Sequence, residues 1–258
     1  MLDAILDQKR QELAGLRQQR LPAPPPLRPL ALRRNPGSPL RLIAEIKRRS
    51  PSAGALSSAL GIAERARAYE RAGASMISVL CDQEYFGGAY EHLALARRAT
   101  SLPILCKEFV IDEVQLDHAR AHGADAVLLI ARCVSPQRLR ELVAAARERE
   151  LAVLLEVYLP EEVPVALEAG AEIIGVNARD LQTLVMDAPR TRAILAALPT
   201  DVVRVHLSGI QKEAQISELA RSRVDAALIG ECLMREDDPT DLLQRLVWAT
   251  APAGAMLP

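Results

Sequence analysis

The side chains able to do chemistry recur at one kind of place, the end of a short apolar run. Glu45 and Lys47 close RLIAEIK, with Ser50 just beyond; Lys107 closes LPILCK; Glu156 lies in LAVLLEV after a wholly apolar approach. Asn177 ends EIIGVN, and Arg179 follows. An ammonium group can stabilise or protonate a developing oxyanion, and a carboxylate can take a proton, so two of each form the parts of an acid–base site. Two further runs exit through Ser208–Gly209 and Gly230–Glu231, each ahead of a helix-like segment. Small residues there let backbone N–H groups approach a phosphate, whose charge a helix N-terminus favours. Each residue alone has a plainer reading: a solvated rim charge, an Arg179–Asp180 pair, a turn glycine. A carboxylate behind five apolar residues needs a partner, however, and the joint pattern outweighs its members.

The elements that must position these groups alternate. The apolar runs fall at 41–47, 75–81, 102–107, 125–131, 151–157, 172–177, 201–207 and 225–230, with amphipathic stretches between them. Several of those stretches end in glycine, at Gly73, Gly123 and Gly170, where a left-handed cap is wanted. Strands separated by helices predict βα units on a parallel sheet. Eight units predict an α/β fold of the (β/α)8 (TIM) barrel type, which needs about 250 residues and carries its active site at the C-terminal strand ends, with phosphate often bound after strands seven and eight. Glu45 and Lys47, two apart, can then both face the interior. The first strand exits through KRRSPSAG rather than a Gly-x-Gly-x-x-Gly turn, against a dinucleotide-binding open sheet.

Ahead of the barrel, Leu2, Ile5, Leu6, Leu13 and Leu16 share a broad helical face, broken at Lys9 and Arg10. The proline-rich stretch from Leu21 to Pro39 is expected to be an ordered extended linker. The predicted organisation is a helix and extension packed on the barrel (1–40), the barrel (41–250) and a flexible tail (251–258). In 258 residues, 50% are apolar and 25% charged, enough for a full core, and the formal net charge of -1 argues against a dedicated nucleic-acid binder. Cys81, Cys106, Cys133 and Cys232 lack metal-site spacing and read as reduced thiols. The charged start MLDAILDQKR does not resemble a signal peptide, and no apolar run approaches the roughly 18 residues of a membrane span. A cytoplasmic location is expected.

The stretch LIAEIKRRSPSAG resembles the signature of the indole-3-glycerol-phosphate synthase family, as do SVLCDQEYFGGAYEHL, CKEFVID, GADAVLLIA, LLEV, GAEIIGVNARDL and GECLMREDDP. The resemblance covers residue 1 to about 248 and implies a single barrel with an N-terminal extension. The implied reaction converts 1-(2-carboxyphenylamino)-1-deoxyribulose 5-phosphate to indole-3-glycerol phosphate, carbon dioxide and water, without metal or organic cofactor. It further implies Lys107 as general acid, Glu156 as the carboxylate of the later proton removal and dehydration, Lys47 as a substrate-contacting lysine and Glu45 as its active-site neighbour. Asn177 and Arg179 match residues around the sugar and reacting atoms. Ser50, Ser208, Gly209, Gly230 and Glu231 fall on or beside phosphate and substrate positions, and Phe86 matches an aromatic on the anthranilate side. The implied partner is a phosphorylated small molecule, with association with other tryptophan-pathway enzymes and neither nucleic acid nor membrane.

The chain departs from the family pattern in its first βα loop, around ALSSALG, which is shorter than usual, and at four residues. Leu207 replaces a carboxylate in HLSGI, Ala53 a lysine, Glu108 an aspartate and Ala178 an asparagine. A Leu207→Glu change is expected to raise efficiency if the surrounding shell accepts a carboxylate, and to lower both activity and stability if the pocket is rebuilt around leucine. Two alternatives differ in class. A related phosphate-binding barrel isomerase would use a thiol and a carboxylate, for which Cys81 or Cys106 is a candidate, and would release no carbon dioxide. A non-catalytic synthase-like scaffold would bind phosphate without turnover.

Overall fold

The computed structural model describes residues 1–35, 37–50 and 54–251. Ala53 and residues 252–258 of the expected tail lie outside them. Eight strands, β1 Arg41–Ile46, β2 Met76–Leu80, β3 Ile104–Lys107, β4 Ala126–Ile130, β5 Ala152–Val157, β6 Ile173–Asn177, β7 Val203–Leu207 and β8 Ala226–Ile229, form one closed barrel. Every pairing is parallel, and β1 closes the ring on β8 with Arg41 opposite Ala226. Each apolar run of the sequence thus supplies one strand. The helices are α1 Leu2–Gln18, α2 Ile62–Arg71, α3 Tyr90–Ala99, α4 Glu113–Ala121, α5 Pro136–Glu148, α6 Glu162–Glu168, α7 Ala188–Ala197, α8 Glu213–Ala220, α9 Glu231–Arg235 and α10 Thr240–Trp248.

Strand periodicity sorts side chains into two cores. Leu42, Ala44 and Ile46 of β1 join the core between sheet and helices, whereas Ile43 joins the barrel interior with Met76, Leu105, Leu154, Val205 and Leu228. The interior parity, continued toward the strand ends, passes from Ile43 to Glu45 and Lys47, from Leu105 to Lys107, from Leu154 to Glu156 and from Ile173 through Gly175 to Asn177. The interior is therefore apolar below and polar at its C-terminal end, as the sequence pattern requires.

Helix α1 lies across that end. Its Leu2, Ile5 and Leu6 pack into the interior core with Phe109 and Cys133, and Met1 reaches the cavity that holds Lys107. The backbone N–H of Leu2 donates to Gln182 Oε1 at 2.8 Å, and Gln182 Nε2 donates to Asp3 Oδ2 at 2.8 Å. The following extended segment is tied along the outside. Arg28 donates to the carbonyls of Leu102 (2.8 Å) and Arg97 (2.9 Å), Arg120 donates to Pro25 O (2.6 Å), and Arg34 donates to Ala220 O (2.9 Å) near the start of β8. The segment thus runs from the mouth of the barrel to its opposite end, where Leu32 is buried.

Candidate active site

Two strands, β1 and β3, deliver a single carboxylate between two ammonium groups. Glu45 Oε2 lies 2.7 Å from Lys107 Nζ, and Glu45 Oε1 lies 3.0 Å from Lys47 Nζ. Lys47 is one residue past β1, where the chain has begun to turn but keeps the inward parity. Burial alone would push the Glu45 carboxyl up; Lys107 and Lys47 overcome it and hold the group at about 2. Burial opposes charge on Lys107, but Glu45 and then Glu156 raise its pKa. Gly230, just past β8, is the counterpart of this arrangement, because a Cβ there would collide with Glu45 Oε1. That glycine makes room for the carboxylate.

On the opposite wall, Asn177 Nδ2 donates to Glu156 Oε1 at 2.8 Å. The amide orientation is fixed from its other side: Asn177 Oδ1 accepts from Ser208 Oγ at 2.5 Å and from the Arg179 N–H at 3.0 Å, so the NH2 must face Glu156. Burial raises the pKa of Glu156, and Lys107 and Asn177 only partly offset the shift. A carboxyl raised in this way both accepts and returns a proton more readily near neutrality. Ser208 makes its contact from a left-handed backbone (φ 60°), and Gly209 follows with φ 81°. Gly209 also packs where a Cβ would strike Met186 Cε.

Apolar residues complete the cavity. Leu80, Phe86, Phe109, Leu128, Ile130, Leu181 and Leu184 line it together with Lys47, Lys107, Glu156, Asn177, Arg179 and Ser208. Phe86 and Phe109 stand with ring centroids 6.0 Å apart. Asp82 Oδ1 accepts from the backbone N–H groups of Tyr85 (2.7 Å) and Phe86 (3.1 Å), fixing the loop that carries Phe86. The adjacent glycines serve the same turn: Gly87 has φ 64°, and Gly88 presses its backbone against Leu80 O, leaving no space for a Cβ. Leu181 and Leu184 come from the loop after β6, in which Asp180 Oδ1 accepts from Gln182 and Thr183 N–H, both at 2.7 Å.

The structure brings eight of the expected site residues together: Glu45, Lys47, Lys107, Glu156, Asn177, Arg179, Ser208 and Phe86. The other four have different settings. Gly209 and Gly230 shape the rim from behind. Ser50 is buried in a two-residue ladder, paired with Gly54 outside the barrel sheet. Glu231 opens the short α9, where its carboxylate meets Arg235 at 2.9 Å and Arg179 at 3.8 Å. Met1, Phe109, Leu181 and Leu184 are cavity residues that pattern reading does not single out. The CKEFVID run did contain Phe109, two positions after Lys107.

Leu207 ends β7 on the interior side and is 1% exposed. It stands opposite Asn177 in register, and its Cδ1 lies 2.6 Å from where a Gly175 Cβ would be, with Leu154 Cδ1 at 3.4 Å from the same point. The space is filled by leucine rather than left for a carboxylate. Cys81 and Cys106, the candidate thiols of an isomerase, are both buried on the helix side of the sheet with their sulfurs 3.6 Å apart. Burial and the Cys106 neighbour push the Cys81 thiol well up, the opposite of an activated thiolate.

Comparisons with known proteins place the chain in one family. The family model described as indole-3-glycerol phosphate synthase matches residues 2–246. The indole-3-glycerol phosphate synthase of Mycolicibacterium smegmatis is 40% identical over 258 residues, covering 96% of this chain and 94% of that protein. Indole-3-glycerol phosphate synthase 2 of Streptomyces coelicolor is 46% identical over 226 residues, covering 87% of each. Among solved structures, a thiamine phosphate pyrophosphorylase from Pyrococcus furiosus superposes with a TM-score of 0.63 at 20% identity, covering 82% of this chain and 95% of that one, a likeness of fold alone. With a matching model across nearly the whole barrel, full-length relatives at this identity and the lysine–carboxylate cluster at the strand ends, the chain belongs to the indole-3-glycerol-phosphate synthase family.

Proposed function

We propose that the chain closes the indole ring of 1-(2-carboxyphenylamino)-1-deoxyribulose 5-phosphate with loss of carbon dioxide and water. The observation that carries the reading is Glu45 holding two ammonium groups at one end of a cavity whose other end presents Glu156. In the first step the ring carbon bearing the carboxylate attacks the ketone carbon. The ketone oxygen gains negative charge, which Lys107 neutralises by donating a proton, with Lys47 beside it. The carboxylate then leaves as carbon dioxide, and its electron pair restores the aromatic ring. In the last step the new hydroxyl leaves as water after protonation, while Glu156 takes the proton from the neighbouring carbon. The aromatic and leucine walls shield the benzenoid part. The turns at Ser208–Gly209 and Gly230–Glu231 receive the phosphate, a remote anchor whose binding energy orients the reacting end.

This reading places the extension, residues 1–40, in the working unit with the barrel of 41–250, and carries with it a cytoplasmic location and association with other enzymes of tryptophan synthesis. Incubating the purified chain with the aminodeoxyribulose phosphate tests it. Growth of indole fluorescence with one carbon dioxide released per product is the expected result. Turnover without carbon dioxide would instead mark an isomerase, and phosphate-dependent binding without turnover a scaffold.

A further inference from the structure

Beneath the aromatic wall lies a second cluster of buried charge that the chemistry above does not use. Lys9, on the α1 helix that lies across the mouth of the barrel, is 1% exposed. Its Nζ is 2.8 Å from Asp82 Oδ2, an ion pair, and 3.1 Å from Glu108 Oε1, and it donates to Glu12 Oε2 at 2.9 Å. Asp82 and Glu108 are 0% and 3% exposed. Their remaining bonds lead to the cavity. Asp82 Oδ1 accepts the N–H groups of Tyr85 and Phe86, and Glu108 Oε1 accepts the N–H of Phe109 at 2.7 Å. Glu108 directly follows Lys107 in the chain.

We propose that Lys9 is a positioning residue: by joining α1 to Asp82 and Glu108 it sets Phe86 and Phe109 against the Lys107 end of the cavity. A buried ammonium among carboxylates costs desolvation that only good geometry repays, so removing one partner leaves uncompensated charge and frees whatever the others held. What they hold is the backbone of two aromatic wall residues. The link also fastens the α1 helix to the loops after β2 and β3. The proposal rests on the ring-closure reading for its kinetic consequence, but not for its structural one.

The test uses the full chain with Lys9→Met and the double variant Lys9→Met/Glu108→Gln, which removes one of the two buried carboxylates left unpaired and keeps Asp82 to hold the Phe86 loop. Hydrogen exchange is followed by mass spectrometry in segments 2–18, 82–88 and 108–111, with β6 to β8 as internal reference. Faster exchange in those three segments, unchanged reference strands and a KM raised about tenfold are expected, with kcat changed less, as for lost ground-state and transition-state binding together. Inhibition by inorganic phosphate should stay within about twofold, since its anchor lies across the barrel. The double variant should regain thermal stability yet keep the raised KM, because the tether is still missing. Unchanged exchange at 82–88, or recovery of KM along with stability, would overturn the proposal and leave Lys9 a stability residue. If Lys9→Met does not fold, the double variant carries the same two measurements. If no variant, nor the parent, turns over the aminodeoxyribulose phosphate, the ring-closure reading fails while the exchange result still decides the tether.

Discussion

Two buried charge clusters flank the end of β3, and their compositions are inverted. Around Glu45, one carboxylate serves two ammonium groups; around Lys9, one ammonium serves Asp82, Glu108 and Glu12. Glu45 in the first and Glu108 in the second are buried, and burial pushes both carboxyls up. The outcome depends on the sign in excess. At Glu45 the surplus of positive charge brings the carboxyl down to about 2. At Glu108 burial, aided by the Asp82 charge, outweighs Lys9 and takes the carboxyl up to about 7. The first cluster is thereby stocked with protonated lysines for an acid-demanding step. The second is short of positive charge, leaves Glu108 titrating near neutrality, and serves as a fastening. Burial does not distinguish a reactive cluster from a structural one; the local balance of charge does.

The sharpest way to break the comparison is Lys107→Ala. The first cluster then becomes an ordinary one-to-one pair of Glu45 with Lys47. Loss of one such transition-state donor costs about 10²–10³ in rate, so kcat should fall by that order with the fold intact. Stopped-flow indole fluorescence beside a thermal melt checks this, and near-parental kcat would move Lys107 to the rim.

Leu207→Glu asks whether the first cluster accepts another carboxylate. Leu207 fills the space over Gly175 and beside Leu154, which favours a pocket rebuilt around leucine over one awaiting a charge. The expected result is a loss of about 1–3 kcal/mol in stability with lower kcat/KM, the cost of burying an unpartnered polar group. Chemical denaturation and steady-state kinetics decide, and a more active variant of equal stability would restore the missing-charge account.

The smallest effect concerns pH and stability. Glu108 titrates at about 7 folded but at about 4.3 in an unfolded chain, so between those values the folded state binds more protons. Its contribution therefore erodes as pH rises from about 4.3 to 7, whereas the depressed Glu45 contributes fully above about 4.3 and is lost only as pH falls toward 2. Glu108→Gln should flatten the decline in melting temperature across the upper window and leave the acid limb alone. An unaltered slope between pH 5 and 7 would show that Glu108 is not the titrating group.

The barrel was legible because strand and helix periods are imposed on every unit, and the chemistry was legible wherever charge broke an apolar run. Glu156 stands out for that reason, as does the Glu45–Lys47 spacing. Lys9 did not. It and Arg10 read alike as a break in the apolar face of α1, yet Lys9 is buried and Arg10 is exposed. The signal was position: Lys9 lies four residues after Ile5 and three after Leu6, on the face those residues bury. Leu13 and Leu16, expected to share that face, are only half-buried. Contacts such as Gln182 with the first residues of α1 join segments distant along the chain, and no local period announces them.

Those distances bear on how the molecule is assembled. Helix α1 has partners that are made much later than itself: Lys9 and Glu108 are separated by 99 positions, and Leu2 and Gln182 by 180. Alone, a 17-residue helix with one apolar stripe is marginal in water. It must wait, tethered by its proline-rich strap, while the strands between close into a ring, and it docks only when the loops after β2, β3 and β6 exist. Such long-range closure makes folding slow. A helix that precedes every strand of the barrel is then the last to settle, and it settles over the mouth, so a chain with a complete barrel is not yet one with a complete cavity.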